Sequence, residues 1–493
     1  MNGPLEHAIV SSENSPICGL PGEGLPQSLT SYYPLGQRGN HAAKPVRCWK
    51  FGTSFPREET EIMRTFIRIG LSAAAFFALQ SNLALSAVPD RMNIRLVGQS
   101  TLDGAGKGGE GLALKQYGQQ KILFLAHESG PQCFSVVDVT SPAKPVVLKQ
   151  LPVEATFVRC NSLALNGNTL VVARQSEKVG QPHGGITVYD VSDPANPQLL
   201  SYMDLTGPAS RGTHYLTFPD GGYAYLSTGA KDFVPKNPLD DQMLMIVDLH
   251  DPKTPKEVGR WWLPGTRVGD DAPAPARVTP WDSGFRLHTP LVPRERPDRL
   301  YAGWIDGGLI ILDISDKTRP KQISHISWQS LHQGFMHTVV PILDRGLLVA
   351  SQESTKEECA DWPMRVTVLD VHDETRPYPL SYLPPPSNME ELCKGHGRFG
   401  SHNINLNQMP EVSRGLENTV VSAQFSGGLR IYSIKNPMAP ELLGYFAPDV
   451  PGNKGGAIQM NDLIVGSDGL IYANDRFTGG LYILEYTGKV PLD

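Results

Sequence analysis

The sequence has no basic cluster suited to nucleic acid and no acidic tract suited to a solvated tail. Its 44 Lys and Arg against 50 Asp and Glu leave a formal charge of -6 over 493 residues. Downstream of residue 88 there is no Walker loop, no GxSxG elbow and no HExxH pair. Nucleotide chemistry and serine hydrolysis are therefore set aside. Six Cys are present, none at CxxC spacing, so a zinc site of that type is excluded. Charged residues make up 19% and aromatics 8%, while Gly and Pro number 49 and 42. That balance suits a turn-rich all-β protein with a substantial core, not a disordered chain.

What is present is repetition. An apolar strand running into an Asx/Pro turn recurs six times: Val137-Asp138-Val139-Thr140-Ser141-Pro142, Tyr189-Asp190-Val191-Ser192-Asp193-Pro194 and Val247-Asp248-Leu249-His250-Asp251-Pro252, then Leu312-Asp313-Ile314-Ser315-Asp316 and Leu369-Asp370-Val371-His372-Asp373, and a looser last copy, Tyr432-Ser433-Ile434-Lys435-Asn436-Pro437. Asp and Ser side chains bond their own backbone and Pro presets φ, so each copy ends a strand in a turn. Recurrence at intervals of roughly 50 to 65 residues marks stacked four-stranded units, the blades of a β-propeller. One unit shows all four strands: Tyr215-Leu216-Thr217-Phe218, Tyr223-Ala224-Tyr225-Leu226, Leu244 to Asp248, and Val258 to Trp262.

Seven inner strands (A) are expected, starting near Gly111, Cys160, His214, His288, His337, His402 and Ala457. Only six turns between strands C and D follow. The seventh outer strand is expected from Ile94-Arg95-Leu96-Val97-Gly98, which reads like Glu441-Leu442-Leu443-Gly444-Tyr445. Such closure removes an exposed sheet edge. The expectation is an all-β, seven-bladed propeller closed by an N-terminal outer strand.

The turn phrase, the Gly-Gly pairs that open strand C (Gly184-Gly185, Gly307-Gly308, Gly427-Gly428, Gly479-Gly480) and the strand order resemble the LVIVD-repeat family over roughly residues 92–487. The resemblance implies architecture and a secreted or surface location, and no particular chemistry.

Ahead of the blades, Arg64 and Arg68 flank the start of an apolar run, Ile69 to Leu79, and small residues follow at Ser86 and Ala87. This is the order of a secretory signal peptide, and the run is too short to span a bilayer comfortably. Met63 stands where an initiator is expected. The reading is an upstream extension over 1–62, a signal peptide over 63–87 and a mature propeller domain over 88–493, periplasmic or secreted, with no stable membrane span. A membrane anchor built from the same segment is the alternative. In an oxidising compartment Cys133 is expected to pair with Cys160, and Cys359 with Cys393, each across a blade boundary on one face.

One constellation carries chemistry. Thr213-His214-Tyr215, Leu287-His288-Thr289, Met336-His337-Thr338 and Ser401-His402-Asn403 place a His at the start of strand A in four successive blades. Inner strands line the channel, and converging imidazoles bind Fe, Cu, Zn or Ni; iron or copper is the expected cofactor. From the ends of strand B, Glu128, Glu353 and Asp475 are candidates to orient ligands or move protons, and Arg174 and Arg476 to hold an anionic group. His332 and His396, in loops between strands D and A, are possible helpers. The competing reading is structural: repeats reuse equivalent positions for packing, and a strand-start His can simply bond a neighbouring blade. Two functions remain open at this stage: a metal-dependent oxidoreductase acting on a small molecule, or a non-enzymatic platform for an envelope protein or glycan. No nucleic-acid partner is expected.

Overall fold

The computed structural model describes residues 90–278, 281–327, 334–361, 364–395, 397–406 and 412–493. They lie in one compact unit, Leu85–Asp493. The segments read as extension and signal peptide, together with His332 and His396, lie outside the described residues. Among the described residues no helix is long and apolar enough to cross a membrane.

Seven antiparallel sheets form the seven blades. The third shows the pattern plainly: Thr213–Thr217, Tyr223–Thr228, Met243–Asp248 and Lys256–Trp261 pair in chain order. Alternate residues of its third strand serve different neighbours. Met243, Met245 and Val247 pack with Ala164, Ala173 and Val188 of the second blade, whereas Leu244 and Ile246 pack with Leu300, Ala302 and Ile310 of the fourth. Successive side chains of a strand point to opposite faces. A strand buried on both faces therefore reads as an unbroken apolar run, and each large side chain so buried contributes about 1.5–3 kcal/mol.

The recurring turns form as the sequence requires. The N–H two residues on donates to Asp138 at 2.9 Å, Asp190 at 2.8 Å, Asp248 at 2.9 Å, Asp313 at 2.9 Å and Asp370 at 3.0 Å. In the looser sixth copy Ser433 accepts at 3.3 Å. Just after each turn, strand D carries one extra residue against strand C: Leu148, Leu200, Val258, Ile323, Leu380 and Leu443. Val97 occupies the same place in the seventh blade. All seven are apolar and join an inter-blade core. A bulge bends and twists its strand, and here it tucks one more side chain under the outer edge of every blade.

The ring closes as expected: Ile94–Ser100 pairs with Leu481–Tyr486 and completes the seventh blade with Met460–Val465 and Leu470–Asp475. Arg91–Met92 goes further and adds a strand outside Glu441–Phe446 of the sixth blade. Among the described residues that blade's inner segment pairs through isolated bridges, Phe399 to Phe425 and Ile404 to Ser422. Two strand starts differ from the sequence reading. The first blade opens at Gly108 instead of Gly111, and the seventh at Met460 instead of Ala457.

Both disulfides are present, Cys133–Cys160 and Cys359–Cys393. Cys133 lies within the strand Gln132–Asp138, not in the loop before it. Cys393 sits on the short helix Met389–Lys394.

Candidate metal centre

The channel is built by a second set of bulges. His214 stands unpaired between the partners Thr213/Thr228 and Tyr215/Ser227, His337 between Met336/Gln352 and Thr338/Ser351, and Asn461 between Met460/Asp475 and Asp462/Asn474. In the first blade the ladder jumps from Gly108/His127 to Leu112/Leu125 and leaves Glu110 in the gap. His288 and His402 reach the same level through N–H bonds to Gly303 and Ala423 carbonyls, at 2.7 and 2.9 Å. Asn161, beside the Cys160–His127 bridge, completes the ring. Each blade thus offers one polar residue at this level: Glu110, Asn161, His214, His288, His337, His402 and Asn461, all at most 8% exposed. Glycine flanks Glu110 for a steric reason. A Cβ on Gly109 would meet the Asn161 carbonyl at 2.5 Å, and one on Gly111 the Leu163 nitrogen at 2.3 Å.

The channel is narrow enough for these groups to touch. Ring centroids step from His214 to His288 at 4.6 Å, to His337 at 3.8 Å, to His402 at 4.3 Å, and end on Phe425 at 4.6 Å. Glu110 reaches across from the first blade. Its Oε2 lies 3.8 Å from His288 Nε2 and 3.4 Å from His337 Nε2, and its Oε1 lies 3.7 Å from His402 Nε2. Glu353 stands 3.9 and 3.8 Å from the Nε2 atoms of His337 and His402. Two overlapping ligand sets result, Glu110–His288–His337 and His337–Glu353–His402, with donor atoms in each within 4.8 Å of one another. Two ligands about 2.1 Å from a tetrahedral ion are themselves about 3.4 Å apart, so these spacings suit a shared cation better than direct hydrogen bonds.

The tautomers agree. His402 Nδ1 donates to the Asn461 carbonyl at 2.6 Å, so its Nε2 carries a lone pair. Thr338 gives its hydroxyl proton to Asn403 and so accepts from His337 Nδ1 at 2.7 Å, with the same consequence. His288 Nδ1 lies 3.2 Å from the Thr289 hydroxyl. Outward Nδ1 partners that aim Nε2 inward are how proteins orient ligating imidazoles. Buried and without a partner are His337 Nε2, His402 Nε2 and Glu110 Oε2. Burial pushes the imidazoles of His214, His288 and His402 well below the ordinary histidine value. Burial also raises the Glu110 carboxyl, but the imidazoles of His288, His337 and His402 more than reverse this and hold it well below the carboxylate range. Neutral imidazoles around an anionic carboxylate are in the protonation state that a cation requires.

His214 stands one step back. Its Nε2 contacts His288 Nε2 at 2.9 Å, and its Nδ1 lies 3.0 Å from Gln175 and 3.1 Å from Arg159. Glu128 Oε1 accepts from Arg159 and Arg476 at 2.7 and 2.6 Å, and Arg398 donates to Glu353 at 2.6 Å. Two other candidates turn elsewhere. Arg174 pairs with Glu154, donates to the His183 carbonyl at 3.1 Å and lies over the Tyr202 ring. Asp475 is committed to its own loop, accepting from Asn453 and from the N–H groups of Gln459, Phe477 and Gly479. The sequence reading missed Glu110, Arg159 and Arg398. Glu110 was within reach: aligning strand starts one residue earlier sets Gly109-Glu110-Gly111 level with Thr213-His214-Tyr215. On the far side of Glu110 the channel holds about 30 Å³, lined in part by Tyr215, Asp462 and Leu463. Burial lifts the Asp462 carboxyl to about 8.

Comparison with known proteins bears on the fold. The LVIVD repeat family model matches residues 179–204 and 300–326, which cover outer strands of the second and fourth blades. No curated protein matches the chain. Among solved structures it is similar to the β-propeller domain of Myceliophteria thermophila Cps50 (Swd1), at 13% identity and TM-score 0.49, covering 80% of this chain and 99% of that one. It is also similar to a protein from Lactobacillus plantarum, at 14% identity and TM-score 0.47, covering 74% and 95%. A third is the computationally designed Ika8 protein, at 10% identity and TM-score 0.44, covering 79% and 99%. Strand pairing and repeat matches together identify the chain as a seven-bladed β-propeller that carries LVIVD repeats.

Proposed function

We propose that this is an exported propeller that holds one transition-metal ion, iron or copper, at the channel mouth and uses it for oxidation–reduction of a small molecule. The observation that carries the reading is the set of unpartnered buried atoms, His337 Nε2, His402 Nε2 and Glu110 Oε2, converging from three blades. An unpartnered buried polar atom costs roughly 1–3 kcal/mol, and three at one point ask for a common partner. Imidazole and carboxylate donors suit iron and copper. His288 completes the ligand set, and to bind the ion its Nε2 gives up the 2.9 Å contact with His214 Nε2. Burial raises the Glu353 carboxyl, with Arg398 and His337 opposing and Glu110 adding to it. A carboxyl so placed beside two ligands serves as a proton carrier. Glu128 holds Arg159 and Arg476 in place. Export is supported by the two disulfides and the signal-like order of residues 63–87.

Elemental analysis of protein purified without chelator tests the centre. About one equivalent of iron or copper is expected, together with substrate turnover that disappears when the ion is stripped. A folded protein that refuses added Fe, Cu and Zn would end the reading. N-terminal sequencing tests export, since retention of Trp49 contradicts cleavage near Val88.

A second reading, a recognition platform, rests on exposed apolar side chains in two long loops. Val234 and Leu239 are 47% and 43% exposed, and Val268 and Val278 are 55% and 61% exposed. Shortening the 265–285 loop should then abolish capture of an envelope partner and leave metal content unchanged.

A further inference from the structure

Arginines crowd the metal centre. Near the imidazole stack lie five guanidinium groups, Arg159, Arg211, Arg286, Arg398 and Arg476. The carboxylates that face them are Glu110, Glu128, Glu353, Asp241 and, acting on Arg398, Asp361. Five against five balances the cluster by itself, and a divalent ion beneath would leave it net positive by two.

The guanidiniums are also crowded by one another. Arg211 and Arg159 depress Arg286, and Arg476 depresses Arg398, in each case after burial, which is the larger cause. Glu128 Oε1 holds Arg159 and Arg476 side by side by accepting from both. Arg398 uses one N–H on Glu353, and Arg476 makes a second, longer bond of 3.4 Å to Asn461. A guanidinium has five N–H donors. Both therefore keep donors to offer, and both are partly exposed, Arg398 at 28% and Arg476 at 14% of the side chain. Behind them the Gln175 amide nitrogen is buried and has no acceptor, in a residue only 1% exposed whose oxygen already accepts from Arg159.

The open donors of Arg398 and Arg476 face the solvent side of the cluster, where the acceptor that fits them is anionic, planar or tetrahedral, and small enough to pass a rim of arginines. Guanidinium groups match carboxylate and phosphate oxygens in pairs.

We propose that the channel mouth binds a small molecule through an oxyanion group, carboxylate or phosphate, gripped by Arg398 and Arg476 with Arg159 behind them and presented to the His–Glu centre. The proposal draws on the metal reading for the added charge beneath, but the grip itself is made by the arginines. It differs from the sequence expectation in its residues: Arg398 and Arg159 take the place given to Arg174, whose guanidinium is engaged by Glu154.

The test is calorimetric titration of the full protein with inorganic phosphate and with oxalate, in metal-free and copper-loaded forms, with urea as a neutral control. Elemental analysis runs in parallel. Saturable binding of at least one anion is expected, tighter in the copper-loaded form, and absent for urea. Arg398→Gln and Arg476→Gln should each weaken it at least tenfold while copper content and melting temperature hold. Arg476→Lys, which keeps the charge and loses the fork, should recover part of the affinity and covers the case in which a Gln variant fails to fold. The stronger of the two probes identifies the oxyanion. Protein that takes up one equivalent of copper yet binds neither anion, or Gln variants that bind as well as the parent, would overturn the proposal. Failure of the metal reading looks different: no copper is retained, whatever the anions do.

Discussion

His127, at the end of the first blade's second strand, and the four stacked imidazoles at the channel are all buried histidines, yet they do opposite things with their nitrogens. His127 is 1% exposed, and burial pushes it down to about 4. Its Nδ1 lies 2.8 Å from the Gly106 carbonyl and its Nε2 2.7 Å from the Ser135 hydroxyl, so both nitrogens are satisfied within one blade. His337 and His402 are 0% exposed, and each directs one satisfied nitrogen outward and one bare nitrogen inward. Burial is common to both, and His402 shares the depressed pKa of His127. Only the unpartnered lone pairs, repeated in neighbouring blades and aimed at one point, distinguish a binding centre from a well-packed core histidine.

The sharpest way to break this contrast is to exchange the consequences. His337→Ala with His402→Ala should lower metal affinity by about 1,000-fold or more, because two of the ligands vanish, with little loss of melting temperature. If the double variant unfolds instead and metal content was nil to begin with, the stack is structural. His127→Ala should do the reverse: a loss of about 2 kcal/mol in chemical denaturation, from orphaned Ser135 and Gly106 groups, with metal content unchanged. Thr338→Val removes only the outward partner of His337, and metal affinity should fall about 10- to 100-fold.

A further effect is in pH. The His127 value is depressed in the fold, so between the unfolded value of about 6.5 and the folded value of about 4 the unfolded chain binds more protons. Its contribution is complete above that window and declines as pH falls through it, by about 1.4 kcal/mol per pH unit. Measured on metal-free protein, the slope should flatten in His127→Ala.

The fold was legible because each blade repeats its own punctuation: Asp138, Asp190, Asp248, Asp313 and Asp370 make the same turn. The closing strand could be identified because Leu96 and Val97 follow the outer-strand pattern of Leu442 and Leu443. The extra outer strand Arg91–Met92 has no such pattern and is set by what lies beside it, the exposed edge of Glu441–Phe446. The four histidines stood out by position. Glu110 did not, because a carboxylate inside a Gly-rich opening looks like a turn until the bulge is known. Arg159 lies on a two-residue strand, Val158–Arg159, at the inner edge of the second blade, and Arg398 on the segment between the fifth and sixth blades, where chain order says nothing about which side chains converge. Arg174 and Asp475 show the converse: residues at similar strand ends were captured by local partners, Glu154 and the 475–479 loop.

The closing strand also sets a timetable. Arg95 and Glu485, paired across the seam, are 390 residues apart in sequence. The strand at the start of the propeller therefore waits, unpaired and partly apolar, until the end of the chain exists. Loop closure over that distance is slow, so the last event of assembly is the fastening of a seam. Until it fastens, the His-bearing blades of the third to sixth sheets form an open arc, and Glu110, carried by the first blade, cannot be held against them. A ring that springs open at this seam would lose its carboxylate before its imidazoles.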